Sequence, residues 1–262
     1  MASIGVILAA GRGSRLKAIS SLPKPLNILG GVTLLSHALS RFTIATVSVV
    51  YVVVRSHEKE FKAYVDIFRN TTGLELKVVV LSECTYVDSP INDLMELGHM
   101  LSLSSDDMFI VSYCDVVTSF PVEILKHLHC ASKADITMLL FDGDKAAYLH
   151  KYEISLDQRV VINMNGPHGA RQFANGGIFI VNCGLLSSYD METKVEFSMC
   201  NGPVMKAHGR GSLYGVACDG YYFKEVGSVV GFEKCSSEVE GNKALRATLF
   251  NPLLVVNHEE YG

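Results

Sequence analysis

Ile4-Gly5-Val6-Ile7-Leu8-Ala9-Ala10-Gly11-Arg12-Gly13-Ser14-Arg15-Leu16, followed by Pro23-Lys24-Pro25-Leu26, sets a short apolar run directly before a glycine turn and several cations. Residues 4–10 are continuously apolar, as expected of a strand buried on both faces of a parallel sheet, where covering helices remove the need for polar alternation. The loop that follows such a strand is a frequent ligand site. Gly11 and Gly13 carry no Cβ, so their backbone N–H groups can surround an anion. Arg15 and Lys24 add fixed positive charge suited to a triphosphate or its departing pyrophosphate. The competing reading is an ordinary strand-to-helix turn with surface cations; Arg15 and the Pro23-Lys24-Pro25 step weigh against it.

Three other loops of similar look are excluded by the residues themselves. A Walker loop needs Gly-x-x-x-x-Gly-Lys-Ser/Thr, which does not occur. The dinucleotide fingerprint needs a third glycine where Leu16 stands. A nucleophile elbow needs Gly-x-Ser-x-Gly, and Ser14 is followed by Arg15 and Leu16.

The alternation of elements extends outward from this strand. Residues 33–42 place Leu34, Leu35, Ala38, Leu39 and Phe42 on one helical face. A β-branched strand follows at 47–54, a helix at 58–68 with Phe61, Val65 and Phe68 inward, and a strand at 76–81. A helix is predicted over 92–103 and a strand over 108–112 ending near Asp115, with Pro121 in the first turn of the next helix. Strands and helices alternating at these spacings imply a doubly wound, mostly parallel α/β sheet. After residue 140 the pattern changes: 141–150 reads as loop, 152–163 as a hairpin, and Asn165-Gly166-Pro167-His168-Gly169 as a turn-rich interruption. Asn175-Gly176-Gly177 opens a strand running to 181. From 195 the chain reads as a helix, a strand at 213–217, a turn at Asp219-Gly220 and a closing helical segment.

The bulk numbers bound the function. A chain of 262 residues suits one α/β domain with a modest insertion. With 23 basic and 27 acidic residues the net charge is -4, which argues against a broad nucleic-acid footprint. The seven cysteines are scattered and form no Cys-x-x-Cys pair, the pattern of reduced thiols in a cytoplasmic protein. His127-Leu128-His129-Cys130 is not read as a metal motif, because residues two apart point to different sides of a helix. No apolar stretch is long enough to span a bilayer, and secretion is not expected, because the N-terminal apolar run has no basic segment before it and Arg12 and Arg15 close it after about seven residues, at the bottom of the range for a signal core. No membrane partner is expected. Residues after 241 suit packing on the domain or against a second copy of the chain.

A second set of residues carries chemistry. Asp115, in Tyr113-Cys114-Asp115-Val116-Val117, lies just past an apolar strand, where a carboxylate projects into the crevice and is suited to Mg²⁺. A cap on the next turn is the alternative. Asn175 can donate to and accept from hydroxyls, and Gly176 and Gly177 permit close approach of a ligand; a β-bulge is the alternative there.

The glycine turn and Pro-Lys-Pro step resemble the signature of the sugar-nucleotide pyrophosphorylases, nucleotidyltransferases that join an NTP to a phosphorylated acceptor. Their Leu-Ala-Ala-Gly-x-Gly-Ser/Thr-Arg-Leu/Met string is matched at every defined position. The resemblance implies a Rossmann-like fold with an inserted acceptor-binding region, forming one domain over 1–262 with a nucleotide-binding half (1–140) and an acceptor-binding half (141–262). It implies an NTP held by Leu8, Ala9, Ala10, Gly11, Gly13, Ser14 and Arg15. It also implies catalytic roles for Arg15, Lys24 and Asp115, Mg²⁺ as cofactor, and a sugar 1-phosphate bordered by Asn175, Gly176 and Gly177.

The chain departs from that family in four places. Cys114 replaces a glycine before the aspartate. Phe223-Lys224-Glu225-Val226-Gly227-Ser228 puts Glu225 where the second metal carboxylate is usually an aspartate, one methylene shorter. The Glu-Lys-Pro step that precedes Asn-Gly-Gly is missing, leaving His168 or Arg171 to meet the acceptor phosphate. Ser89-Pro90-Ile91-Asn92-Asp93 replaces a Gly-Thr-Ala/Gly-Gly segment and resembles the phosphocholine and phosphoalcohol cytidylyltransferases, with Asn92 as a nucleotide contact or a helix cap. Two alternatives follow: cytidylyl transfer to phosphocholine or another phosphoalcohol, with Tyr86, Tyr113, Tyr221 and Tyr222 as candidates for an aromatic cage, and a nucleotide- or sugar-phosphate-binding protein that has lost turnover through Glu225.

Overall fold

The N-terminal apolar run forms β1 (Ser3–Leu8), in which Ile4, Val6 and Ile7 are buried. The computed structural model describes residues 2–11, 16, 20, 22–81, 89–142, 152–155, 157–162, 172–189 and 202–249. After β1 come a 3₁₀ turn (Lys24–Leu26), β2 (Ile28–Leu29), β3 (Val32–Thr33), α1 (Leu34–Leu39), β4 (Val49–Val54), α2 (Glu58–Thr72) and β5 (Leu76–Val80). The chain continues through α3 (Pro90–Met100), β6 (Met108–Tyr113), β7 (Val116–Thr118), α4 (Val122–Ser132), β8 (Ile136–Asp142), β9 (Tyr152–Ile154), β10 (Val160–Ile162) and β11 (Phe173–Asn182). It ends with α5 (Cys183–Leu186), α6 (Pro203–Gly209), β12 (Leu213–Ala217), β13 (Phe223–Glu225), α7 (Val229–Glu240) and α8 (Lys243–Leu249).

The chain divides into two compact units. The first comprises Gly5–Val80, Ser112–Phe120 and Tyr222–Gly262. Its strand order is β1-β4-β5, with β4 and β5 parallel from Val50↔Leu76 to Val54↔Val80. Val50 through Val54 are all buried, which is why this strand shows no alternation. Helix α2 packs on β5 through Phe61, Val65 and Phe68, and ends where Gly73 takes φ +68 and returns its N–H to Arg69 O. The predicted helix at 33–42 is the shorter α1, with Thr33 as N-cap, and it is buried on every side, Ser36 and His37 included, instead of along one stripe. Two small antiparallel pairs complete the unit: β2 with β3 around Gly30 and Gly31, and β7 with β13. Leu29, Val32, Leu34, Val117, Val226, Phe232, Cys235, Val239 and Leu249 form one buried cluster under them. A fully buried Leu, Val or Phe side chain contributes about 1.5–3 kcal/mol.

The second unit comprises Met1–Ile4, Leu81–Val111 and Pro121–Tyr221. Its strand order is β10-β9-β11-β6, and β11 also pairs with β8, which pairs in turn with β12. The predicted hairpin over 152–163 is β9–β10, antiparallel from Val160↔Ile154 to Ile162↔Tyr152. Strand β8 runs antiparallel to β11 and parallel to β12, from Leu213↔Ile136 to Ala217↔Leu140. Its residues 136–142 extend into the stretch read as loop. Helix α4 begins after Pro121, which is its N-cap and not a first-turn residue, and packs on β8. No helix among the described residues is long and apolar enough to cross a membrane.

Candidate active site

The Pro23-Lys24-Pro25 step builds a rigid platform for one ammonium group. Pro23 sits at φ -51 and ψ 139, and its carbonyl accepts from Leu26 N at 2.9 Å, which closes the 3₁₀ turn. The Asn27 amide, buried beneath, donates to Pro23 O at 3.2 Å and Lys24 O at 3.1 Å. With its backbone fixed, Lys24 extends Nζ to within 2.6 Å of Asp115 Oδ2. Both side chains are largely enclosed, at 15% and 19% exposure. In the same unit, Ala9 N continues the sheet past β1 by donating to Val53 O at 2.9 Å. A Cβ added to Gly11 would meet no heavy atom of the described residues within 4 Å.

Asp115 lies in the turn between β6 and β7. Arg41, just past α1, reaches this turn from behind: its guanidinium donates to Ser112 Oγ, to Val116 O and, at 3.5 Å, to Tyr113 O. Burial lowers the Arg41 pKa to about 10, while Cys114 and Asp115 act to raise it, so the group remains cationic at neutral pH. Cys114 is buried, and desolvation with the adjacent Asp115 charge pushes its thiol up to about 12. It is therefore a protonated packing residue, not a thiolate ligand or nucleophile.

Glu225 ends β13 opposite Val116 at the start of β7. The next residue donates its N–H to the Asp115 carbonyl, Val226 N to Asp115 O at 2.8 Å. The two carboxylate-bearing segments are thus neighbours in one small ladder. Strand β13 is tied to α7, because Lys224 Nζ pairs with Glu238 Oε1 at 2.9 Å and Tyr222 Oη donates to Glu238 Oε2 at 2.8 Å. That bond commits the Tyr222 hydroxyl to the protein itself. Among the described residues no group of three or more His, Cys, Asp and Glu side chains could hold a metal ion. A pair of carboxylates suits Mg²⁺, which takes one or two protein carboxylates and completes its shell with water and phosphate oxygens.

The other candidate residues belong to the second unit. Asn92 lies inside the first turn of α3, which starts two residues earlier at Pro90 with Ser89 as N-cap, so Asn92 does not cap the helix. Asn175, Gly176 and Gly177 form an irregularity in β11: Asn175 faces Leu140 and Phe179 faces Met138, so three residues of β11 oppose Leu139 alone. Gly177 takes φ +69, and its N–H donates to Asn175 Oδ1 at 2.9 Å. A Cβ on Gly176 would lie 2.9 Å from Leu139 O. His129 is a core residue whose Nδ1 and Nε2 each lie 3.0 Å from a partner, Thr137 Oγ1 and Asn182 Oδ1. Gly13, Ser14, Arg15, Tyr86, His168 and Arg171 lie outside the described residues.

Sequence reasoning missed three parts of this arrangement. The Gly30-Gly31 pair, at φ +63 and +91, is a hairpin signal that went unused. Asn27 had no signal beyond its place after Pro-Lys-Pro. Arg41 has no signal beyond being the one formal charge in the helical stretch 33–42.

Comparison with known proteins is consistent with this geometry. The chain is 22% identical over 236 residues to a mannose-1-phosphate guanylyltransferase of Mycobacterium tuberculosis (strain ATCC 25618 / H37Rv), covering 89% of this chain and 64% of that protein. It therefore spans just under two thirds of the curated relative's length. Three solved structures share the fold at low identity. A protein assigned as a glucose-1-phosphate thymidylyltransferase from Bacillus anthracis, in complex with sucrose, has a TM-score of 0.75 at 16% identity, covering 97% of this chain and 99% of that one. The inositol-1-phosphate CTP transferase of T. maritima has a TM-score of 0.69 at 18% identity, with 94% and 95% covered. HddC from Yersinia pseudotuberculosis has a TM-score of 0.65 at 18% identity, with 91% and 99% covered. Residues 5–176 match the model of one family over most of the chain, and on that match the protein belongs to the MobA-like NTP transferase domain family.

Proposed function

We propose that this protein transfers a nucleotidyl group from an NTP to a phosphomonoester and releases pyrophosphate, in the cytoplasm and with Mg²⁺ as cofactor. The observation that carries the reading is the Lys24–Asp115 pair, a cation and a carboxylate 2.6 Å apart in the unit that also holds the Gly11 turn.

The acceptor phosphate is already an anionic nucleophile, so no strong general base is required. One of its oxygens forms a bond to the α-phosphorus while the bond from that phosphorus to the bridging α–β oxygen breaks, and pyrophosphate leaves with the electron pair. The protein's contribution is positioning and neutralisation of charge. Lys24 exchanges its bond to Asp115 for the α-phosphate region, while Gly11, Gly13 and Arg15 hold the β- and γ-phosphates. Asp115 and Glu225 would hold Mg²⁺, which supplies further neutralisation at the phosphoryl oxygens. Cys114, neutral and buried, adds no charge to this region.

A sugar 1-phosphate is the favoured acceptor, supported by the curated relative's activity on mannose 1-phosphate. Transfer of a cytidylyl group to a phosphoalcohol is the second reading, supported by Asn92 and by the fold shared with an inositol-1-phosphate CTP transferase. The test is pyrophosphate release from the four common NTPs with Mg²⁺, against hexose and heptose 1-phosphates, inositol 1-phosphate and phosphocholine, with Asp115→Ala as control. Release with a sugar 1-phosphate that vanishes in the control is expected. Release only with a phosphoalcohol favours the second reading. NTP binding without release under any condition would overturn both and leave a binding protein.

A further inference from the structure

We infer that Arg41 is a positioning residue for the candidate site: it touches no substrate, and it fixes the turn that presents Asp115 by binding that turn on both sides of the carboxylate. The inference rests on the reading of Asp115 as a site carboxylate.

The geometry is specific. The acceptors of the Arg41 guanidinium are Ser112 Oγ and Tyr113 O before Asp115 and Val116 O after it. A planar guanidinium presents its donors in a fixed fork, so it sets the distance between the end of β6 and the start of β7. On the opposite flank, the Asp115 carbonyl accepts from Val226 N at 2.8 Å, one residue beyond Glu225. The main chain of Asp115 is therefore held on both flanks, and the same ladder carries Glu225. A side chain with two rotatable bonds on a fixed backbone meets Lys24 in one place.

The chemistry also sets Arg41 apart from a surface cation. It is 8% exposed, and its Nε is buried with no hydrogen-bond partner among the described residues. Burying a guanidinium is costly, and well-packed apolar side chains serve a core at least as well. Packing alone gives no reason for a charge at this position; three acceptors on one five-residue turn do. Lysine cannot replace it, because one ammonium cannot span both arms of the turn.

The test uses the full chain with Arg41→Lys and Arg41→Met. The readouts are the urea midpoint, kcat and KM for the NTP with the best acceptor, and amide hydrogen exchange at residues 114–118 and at Val226. Displacement of a reacting group by about 1 Å costs about a hundredfold. The expected result is a kcat lower by about tenfold in Arg41→Lys and by about a hundredfold in Arg41→Met, with KM for the NTP changed by less than about threefold. Exchange at Val226 and Val116 should quicken while exchange in β4 stays as in the parent. A folded Arg41→Met protein with the parent kcat, or with parent exchange at Val226, overturns the inference. If Arg41→Met does not fold, Arg41→Lys decides by the same criteria. If the parent itself releases no pyrophosphate, the proposed function fails, and exchange at Val226 alone decides whether Arg41 holds the Asp115 turn.

Discussion

Lys24 Nζ and Asp115 Oδ2 lie 2.6 Å apart although 91 residues separate them in sequence. The prolines around Lys24 and the Asn27 amide fix one partner, while Arg41 and Val226 fix the other. Each charge is compensated before any ligand arrives, so neither has to be desolvated alone.

Lys24→Met tests the assignment of this cation to the reacting phosphate. Removing a preorganised donor to developing charge costs about 10²–10³ in kcat. Turnover should fall by that factor, with NTP affinity changed only a few-fold, since the β- and γ-phosphates are assigned to the glycine turn. Steady-state kinetics and NTP titration separate the two. A large loss of affinity with unchanged kcat would make Lys24 a binding residue only.

Glu225→Gln keeps the volume of the side chain and removes its charge. Glu225 pairs with Val116 in the ladder through its backbone, which the substitution leaves in place. Disturbing even the outer partners of a metal ligand costs about 10–100-fold in metal affinity, and loss of a ligand should cost no less. The Mg²⁺ concentration for half-maximal rate should therefore rise by about tenfold or more. An unchanged Mg²⁺ dependence would remove Glu225 from the metal site.

The legible parts of the fold are those in which a local pattern decides the element. Strands β4 and β5 and helix α2 were readable because apolar runs or helical spacing end at clear boundaries such as Gly73. Strand β8 was not, because Lys133 takes the left-handed C-cap position of α4 at φ +51, where a glycine would have marked the boundary. The β7–β13 ladder was invisible for another reason: its strands have three residues each and pair across more than a hundred positions, so no local period reports them. Of the candidate site, the motifs single out Lys24 and Asp115, which the structure brings within 2.6 Å of each other, but the Arg41 support depends on tertiary contacts that one charge at the end of a mixed apolar and polar stretch does not disclose.

Gly176→Ala tests the irregular step in β11. The new Cβ would sit 2.9 Å from Leu139 O and 3.1 Å from Leu139 Cγ, so the strand has to shift against its partner. Overpacking of this kind costs about 1–3 kcal/mol, read as a lower urea midpoint with unchanged m. Gly177→Ala should lose about 1–2 kcal/mol for a different reason, its φ of +69. If the step also borders the acceptor, KM for the acceptor rises in Gly176→Ala while KM for the NTP does not. Parent stability in both variants would mean that β11 tolerates side chains at this step.

His37 gives the protein a defined sensitivity to acid. It is 4% exposed, and burial, followed by the nearby Arg41 charge, lowers its pKa from 6.5 to about 3. In the unfolded chain the imidazole takes up a proton as pH falls through 6.5; in the folded protein it stays neutral until about 3. Across that interval the unfolded state binds more protons, so stability falls as pH falls, by up to about 1.4 kcal/mol per pH unit, and levels off near the lower value. Burial lowers the pKa of His129 as well, which adds a contribution of the same sign. Urea unfolding of the parent and of His37→Gln at a series of pH values isolates the His37 part. The stability difference between them should shift toward the variant by about 1.4 kcal/mol for each unit of acidification below about pH 6. Parallel curves would show that His37 accepts a proton in the folded state, and that the space between α1 and the Asp115 turn tolerates a second cation beside Arg41.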